Sequence, residues 1–371
     1  MRCRDTSRSE IGTPRLHPQC VRVGIGGTPI RYEALHIHSS ILARIFYASN
    51  IELLELTPAD YRDLMASPFV AEQAAPSNPF PLVVVTGCPA EIPSPGSLPM
   101  VVAAIGDDFG GDGPANADLV IRPEDLADLA TAVSRAPTAA VTLAILLRAQ
   151  TTVDIETGLA LESAAYSTVQ AGPEFALWRA TATHAPDVSN APTVTVERTN
   201  DSLQITLDRP HRHNAISTRV RDELDAALAL AEADDSITTV VLRGNGPSFC
   251  SGGDLGEFGQ RPDVATAHVT RLSRSPARRI HRLRERTSVH LHGASMGGGI
   301  ELAAFASRVE AHPDTRIALP EIGLGLIPGA GGTASITQRI GRQRTAALGL
   351  TGRIIDASTA LRWGLVDHIV D

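Results

Sequence analysis

Three glycine-rich segments in the second half of the chain most limit the folds it can adopt. They are residues 251–254 (SGGD), 297–299 (GGG) and 329–332 (GAGG). Glycine allows a backbone to turn sharply and to approach another group closely. Short apolar runs alternate with amphipathic helical stretches around these segments. This alternation predicts an α/β architecture with tight turns between strands and helices.

The first half predicts a smaller α/β region. From about Tyr32 to Glu72 the apolar residues have helical spacing, and Thr57 with Pro58 is typical of a helix N-cap and first turn. Buried strands and then helices are expected after a Pro-rich break. The expected strands are 82–86, 100–105 and 117–121, and the expected helices are 123–134, 138–148 and 158–170.

A Pro/Asn/Ser-rich stretch divides the two halves. We expect residues 1–30 to be disordered, 31–184 to form the smaller domain, 185–192 to be the linker and 193–371 to form the main domain. The main domain is expected to open with a hairpin around Asn200 and Asp201. Further elements are expected as helices 219–233, 277–285 and 299–307 and strands 239–243 and 288–292.

Composition excludes several classes of protein. A net charge of -8 argues against nucleic-acid binding, and no residue is lysine, which excludes Schiff-base and P-loop chemistry. No apolar run is long enough to span a membrane, and the N-terminus lacks the apolar core of a secretion signal. We therefore expect a cytoplasmic protein. Its four cysteines form no metal or disulfide pattern: Cys3, Cys20, Cys88 and Cys250.

Four segments occur in an order and spacing that resemble one known family. They are 208–216 (DRPHRHNAI), 248–255 (SFCSGGDL), 292–302 (HGASMGGGIEL) and 319–333 (LPEIGLGLIPGAGGT), with further matches at 350–353 and 360–367. Together they resemble the crotonase (enoyl-coenzyme A hydratase/isomerase) superfamily over about half of the chain. The resemblance implies a ββα superhelix core at 193–371 and an acyl-CoA thioester as the substrate.

The resemblance also implies the catalytic groups. The backbone N–H groups of Gly253 and Gly298 would hold negative charge on the thioester oxygen, as preorganised donors do in other enzymes. Glu301 would help to activate a water molecule, and Glu321 would protonate the α carbon. Two carboxyl groups can divide acid and base work when burial raises the pKa of one of them.

Substrate contacts follow from the same resemblance. Gly329 would pack against the acyl group, and Arg212 suits a phosphate because a guanidinium binds it in a bidentate manner. The remaining expected contacts are with the nucleotide end and the pantetheine arm: His211, His213, Ser251, Asp254 and Leu255.

Two departures from the family pattern bear on this interpretation. His290 and His292 replace apolar residues in the strand before the triple glycine. They would both be hydrogen-bonded histidines at a contact between domains or, alternatively, His292 would border the acyl pocket and change the reaction. The family's closing helices normally follow the last matched strand, which here ends near Asp371. Residues 136–183 resemble those helices, so the first half is either a degenerate crotonase-like half that covers the second or an unrelated helical extension.

The function expected from these residues is hydration of an enoyl-CoA thioester, without a metal or redox cofactor. Other enzymes of the same type remain open: an isomerase, a hydrolase, a decarboxylase or a cofactor-free aryl-acetyl-CoA dioxygenase. A non-catalytic acyl-CoA-binding subunit is a further alternative. The family resemblance also implies a homo-oligomer, either a trimer or a hexamer.

Overall fold

The computed structural model describes residues 45–48, 51–73, 81–87, 90–182, 191–260 and 263–370. The predicted disordered segment 1–30 and most of the predicted linker 185–192 lie outside these residues. The helices are α1 Pro58–Ala66, α2 Val70–Gln73, α3 Leu126–Arg135, α4 Pro137–Gln150, α5 Ile155–Gln170, α6 Pro173–Thr181, α7 Thr218–Ala233, α8 Val264–Ser273, α9 Pro276–Arg282, α10 Gly298–Ala303, α11 Gly332–Thr351 and α12 Ala357–Trp363.

The strands form three sheets. They are β1 Ile45–Ala48, β2 Ile51–Leu56, β3 Leu82–Val85, β4 Val101–Ile105, β5 Leu119–Ile121, β6 Val194–Thr199, β7 Ser202–Leu207, β8 Thr239–Gly244, β9 Thr287–Leu291, β10 Ala294–Met296, β11 Arg308–Ala311, β12 Arg316–Ala318, β13 Ile355–Asp356 and β14 His368–Ile369. The strand orders are β1-β2-β3-β4-β5, β14-β11-β9-β8-β7-β6 and β10-β12-β13. The described chain therefore has a mixed α/β fold.

Most pairings are parallel, as the alternation of strands and helices predicts. In the first sheet β2 to β5 are parallel and β1 is antiparallel to β2. In the six-stranded sheet only the β6–β7 hairpin is antiparallel.

One prediction for the first half is wrong. The segment expected to be helical from about Tyr32 to Glu72 contains β1 and β2, which pair as antiparallel strands. The helix that begins at Pro58 is confirmed, and the Thr57 side chain caps it by accepting a hydrogen bond from the Asp60 N–H. The strands form instead of a helix because β2 pairs with the buried strand β3.

The first sheet is buried on both faces. Leu82, Val84 and Val101 face a core that continues into the second half of the chain. The alternate residues, such as Val83 and Val102, belong to a smaller cluster. This two-residue period places the two sets on opposite faces of the sheet. The larger core therefore joins the described parts of both halves.

Polar contacts also connect the two halves. Arg148 on α4 and Arg342 on α11 both reach the buried carboxylate of Asp118, at 2.6 and 3.5 Å. Arg342 also donates to the Ala117 carbonyl oxygen at 2.8 Å. A buried carboxylate is stable only when cations and donors compensate it. Asp118 therefore requires arginines from both halves.

Helices α5 and α6 pack beside the glycine-rich loop before α11. A Cβ added to Gly329 would lie 2.4 Å from the Tyr166 ring, and one added to Gly325 would lie 2.6 Å from the backbone of Glu174. Helix α5 also contacts α8 through the Ser167 hydroxyl, which donates to the Val264 carbonyl at 2.9 Å. Residues 136–182 thus pack directly on the second half.

Candidate active site

Two glycine turns meet at the wall of one cavity. Gly252 and Gly297 have φ values of 96° and 46°, in the left-handed region that favours glycine. A Cβ added to Gly252 would lie 3.1 Å from the Met296 carbonyl oxygen, so the two turns are in contact. The residues that follow, Gly253 and Gly298, both line the cavity.

The N–H groups of these two residues are available to a ligand. Within the described part of the chain, neither the N–H of Gly253 nor that of Gly298 has a protein acceptor. Gly298 is the first residue of α10, where N–H groups have no partner inside the helix. Two such donors at one cavity wall can stabilise negative charge on a carbonyl oxygen. The structure therefore brings together the predicted oxyanion pair.

Glu301 projects from the first turn of α10 and is 1% exposed. Its Oε2 accepts hydrogen bonds from the N–H groups of Ala330 and Gly332, at 2.7 and 2.9 Å. The fit is close, because a Cβ added to Gly332 would lie 2.4 Å from the Glu301 Cγ. The glycine-rich loop therefore fixes the position of this carboxyl group.

Glu321 begins a short 3₁₀ turn after β12 and carries a less constrained carboxyl group. The residue as a whole is half-buried, but its Oε2 is fully buried and has no hydrogen-bond partner among the described residues. Its Oε1 lies against Gly297, where an added Cβ would be only 2.2 Å away. A buried, unpartnered carboxyl oxygen favours the protonated form.

A third buried acid, Glu162 of α5, lies next to this pair. Its Oε1 accepts from the Gly331 N–H at 2.6 Å, and its Oε2 accepts from the N–H and hydroxyl of Thr333 at 2.8 and 2.7 Å. The backbone N–H groups of residues 330–333 thus donate hydrogen bonds alternately to Glu301 and to Glu162. The loop that positions Glu301 is held on its other side by the first half of the chain.

Burial raises the pKa of all three carboxyl groups. It raises the pKa of Glu321 to about 7 and that of Glu162 to about 7. The pKa of Glu301 is raised well above its ordinary value, first by burial and then by the negative charges of Glu321 and Glu162. Three acids this close cannot all be charged at neutral pH, so the group holds at least one proton there.

The cavity between these groups has a volume of about 210 Å³. Asp254 lines it, but its carboxylate is already paired with the buried Arg209 at 2.7 Å and accepts from the Gly256 N–H. Six residues predicted from the sequence line the cavity: Gly253, Asp254, Gly298, Glu301, Glu321 and Gly329.

The other predicted substrate contacts lie outside the cavity lining. They are His211, Arg212, His213, Ser251 and Leu255. The His213 ring shares a hydrogen bond with the Ser248 hydroxyl at 2.9 Å, and the backbone carbonyl oxygen of His213 accepts a hydrogen bond from the Ser251 N–H. The expected contacts of these residues with the nucleotide and pantetheine stay predictions.

The two histidines of the unusual strand do not line the cavity. His290 lies 3.2 Å from Glu310, and burial lowers its pKa. His292 donates from Nε2 to the Gly246 carbonyl oxygen at 3.0 Å. Both side chains contact groups outside the cavity lining, so His292 does not border this cavity.

Sequence reasoning missed the cavity residues contributed by α5 and α8. Glu162 lies at the site, and Tyr166 and Gln170 line the cavity with Arg271. A spacing of four residues places Glu162, Tyr166 and Gln170 on one helix face. This polar stripe was the available signal.

Neither a membrane span nor a metal site is found in the described residues. No single described helix is long and apolar enough to cross a membrane; one bent pair, Pro123–Arg135 with Pro137–Gln150, qualifies by length and composition only. Nor do the described His, Cys, Asp and Glu residues include a group of three that could hold a metal ion.

Comparison with known proteins agrees with this arrangement. A family model described as enoyl-CoA hydratase/isomerase matches residues 197–371, the part that holds all the predicted motifs. The 2,3-dehydroadipyl-CoA hydratase of Escherichia coli is 33% identical over 174 residues, which cover 47% of this chain and 68% of that protein. The chain belongs to the enoyl-CoA hydratase/isomerase family.

Other members of the family match a similar share of the chain. A probable enoyl-CoA hydratase of Rhizobium meliloti is 35% identical over 45% of this chain and 64% of its own length. In this protein and in two other similar relatives, the matched region spans only 63–64% of the relative's own length. The crystal structure of an enoyl-CoA hydratase from Thermoplasma volcanium has a TM-score of 0.46 and 35% identity, covering 49% of this chain and 73% of that one.

Proposed function

We propose that this family member hydrates the double bond of an enoyl-CoA thioester. One observation carries the proposal: two buried carboxyl groups, Glu301 and Glu321, line a cavity that is also lined by Gly253 and Gly298, whose N–H groups have no acceptor among the described residues. Hydration requires a base, an acid and a site for negative charge. The cavity provides a group for each requirement.

In the proposed reaction the thioester oxygen accepts hydrogen bonds from Gly253 and Gly298. Glu301 acts as a carboxylate, the form that the N–H groups of Ala330 and Gly332 stabilise against the effect of burial. It takes a proton from a water molecule, and the water oxygen forms a bond to the β carbon. The electron pair of the double bond moves into the thioester as an enolate. Glu321, as a carboxylic acid, then donates its proton to the α carbon, and exchange with solvent restores both groups.

The finer features of the fold belong to the same proposal. Residues 193–371 would form the crotonase-type ββα superhelix, and α4 to α6 would act as its closing helices. The hydrogen bonds from Gly331 and Thr333 to Glu162 support this role. The trimeric or hexameric assembly implied by the resemblance is also part of the proposal.

The test is loss of the conjugated enoyl absorbance with crotonyl-CoA and hexenoyl-CoA. Glu301→Gln and Glu321→Gln should each lower kcat by about 10²–10⁴ because each removes one acid–base group. Glu310→Gln is the matched control, since this buried acid of β11 lies outside the cavity and should retain wild-type activity. Migration of the double bond along the acyl chain without hydration would indicate an isomerase. Tight thioester binding without turnover would indicate a non-catalytic subunit.

A further inference from the structure

One part of the cavity is lined by polar side chains that the proposed reaction does not use. Tyr166 and Gln170 are one helical turn apart on α5, and Arg271 is contributed by α8. A site for a plain hydrocarbon chain would be lined mainly by apolar groups. These three side chains can form hydrogen bonds with a bound group that carries oxygen atoms.

Arg271 is a largely buried cation without a carboxylate partner within ion-pair distance among the described residues. Its Nε and Nη2 donate to the hydroxyl and carbonyl oxygens of Ser163, at 3.0 and 3.1 Å, and Nη2 also donates to Ser167. Burial lowers its pKa; Tyr166 and Glu162 offset part of this effect, and the positive charge of Arg221, which also lines the cavity, adds to it. A buried cation in this setting is stabilised when an anion binds beside it.

The nearby carboxylates do not fill this role. Glu162 directly precedes Ser163, but its oxygens accept from the N–H groups of Gly331 and Thr333. Burial also raises the pKa of Glu162 to about 7, so it is only partly charged at neutral pH. The charge of Arg271 is therefore not fully compensated by the protein in the described residues.

The neighbours of Arg271 can also take part in hydrogen bonds. The Tyr166 hydroxyl has no partner among the described residues, and the Oε1 of Gln170 is buried without one. The Arg271 guanidinium lies 4.7 Å from the centre of the Tyr166 ring, which packs against Gly329. Arg271 is thus separated by one aromatic ring from the loop that positions Glu301.

We propose that Tyr166 and Arg271, with the side-chain NH₂ of Gln170 as a third donor, form a subsite for a carboxylate at the far end of the acyl group. The preferred substrate class is then a short enoyl thioester with a terminal carboxylate. A guanidinium fork and a hydroxyl donor match a carboxylate. A cavity of about 210 Å³ suits a short acyl group, since pockets for drug-sized ligands begin at about 300 Å³. The reaction in this statement rests on the proposed function, whereas the binding preference does not.

The test compares the binding of two saturated thioesters of equal chain length, adipyl-CoA and hexanoyl-CoA, by calorimetry. Neither is a substrate for hydration, so the result does not depend on turnover. Wild-type protein should bind adipyl-CoA at least about tenfold more tightly, as expected for one charge-assisted hydrogen-bonded pair. Arg271→Met should remove this preference and leave hexanoyl-CoA binding nearly unchanged.

Two further variants separate recognition from packing. Tyr166→Phe keeps the ring against Gly329 and should reduce the preference for adipyl-CoA without changing the affinity for hexanoyl-CoA. Arg282→Met is the matched control, because this exposed arginine of α9 pairs with Glu156 and Glu232 outside the cavity. It should leave both affinities unchanged.

Three results would overturn the subsite. The first is equal wild-type affinity for the two thioesters, and the second is a preference that survives in Arg271→Met. The third is weakened binding of free CoA in Arg271→Met, which would assign the anion to a phosphate of the carrier. If the carboxylate preference holds but no enoyl-CoA is hydrated, the subsite stands and the proposed function fails.

Discussion

Replacing Glu162 with glutamine tests whether the first half of the chain is part of the active site. Glu162 accepts three hydrogen bonds, one from Gly331 and two from Thr333. Glutamine has only one acceptor oxygen, and its NH₂ group must face a donor. If that oxygen stays with Thr333, the buried N–H of Gly331 loses its partner.

The expected loss of stability follows from these contacts. An unsatisfied buried N–H costs about 1–3 kcal/mol, and a charge at a helix N-terminus contributes about 0.3–2 kcal/mol. Removing the charge also relieves repulsion with Glu301 and Glu321. Since this relief offsets part of the loss, we expect the free energy of unfolding to fall by about 2 kcal/mol, measured by denaturant titration.

The same change should alter the pH dependence of hydration. The negative charge of Glu162 raises the pKa of both Glu301 and Glu321. In Glu162→Gln this contribution is absent, so both pKa values fall and the alkaline limb of the kcat/KM profile moves to lower pH.

Glu174→Gln provides the matched control for this prediction. Glu174 also receives the N–H groups that begin a helix, those of Thr138 and Ala139 at 2.7 and 3.0 Å, but it does not line the cavity. It should lose stability without a change in pH profile. If Glu162→Gln kept the wild-type pH profile, the inferred coupling between α5 and the catalytic carboxyls would be wrong.

Two further predictions concern the same loop and acids. Gly332→Ala should lower hydratase activity and cost about 1–3 kcal/mol of stability, since the new methyl group overlaps the Glu301 side chain. Gly323→Ala is the control: a methyl group at this position has open space around it, so neither property should change. The pKa of Glu321 rises from 4.5 to about 7 on folding, so the folded state retains a proton that the unfolded state loses in this range. The contribution of Glu321 to stability should therefore decline as pH rises from 4.5 to 7, by at most about 3.5 kcal/mol at about 1.4 kcal/mol per pH unit, and denaturant titration should show a smaller decline in Glu321→Gln.

The sequence predicts the second half better than the first, for a physical reason. Turns that bring backbones into contact require glycine, and Gly252, Gly297 and Gly332 leave a clear sequence pattern. Periodicity also located most helices of the first half. It failed at β1 and β2 because residues at helical spacing can also form strands when a buried strand pairs with them. Helix α8 was missed, although Asp263 caps its N-terminus.

Beyond the family resemblance, the site could be predicted only where side chains act through local spacing. Glu301 follows Gly298 by three residues, so one helical turn relates them and the sequence shows it. Arg271 lies more than a hundred residues from Ser163, and only the packing of α8 on α5 brings them together. No local pattern encodes such a contact, and the same limit left the nucleotide contacts of Arg212 as predictions.

The alternating hydrogen bonds of residues 330–333 explain why the two halves act as one unit. Successive N–H groups at the start of α11 point to opposite sides, one pair to Glu301 and the other to Glu162. Burying Glu162 costs free energy, which these donors at the helix start offset. Without α5 the N–H groups of Gly331 and Thr333 would lack their acceptor. The loop would then lose the constraint that directs the N–H groups of Ala330 and Gly332 toward Glu301. The geometry of the Glu301 carboxyl, the proposed base, is therefore a property of the first half as much as of the family core.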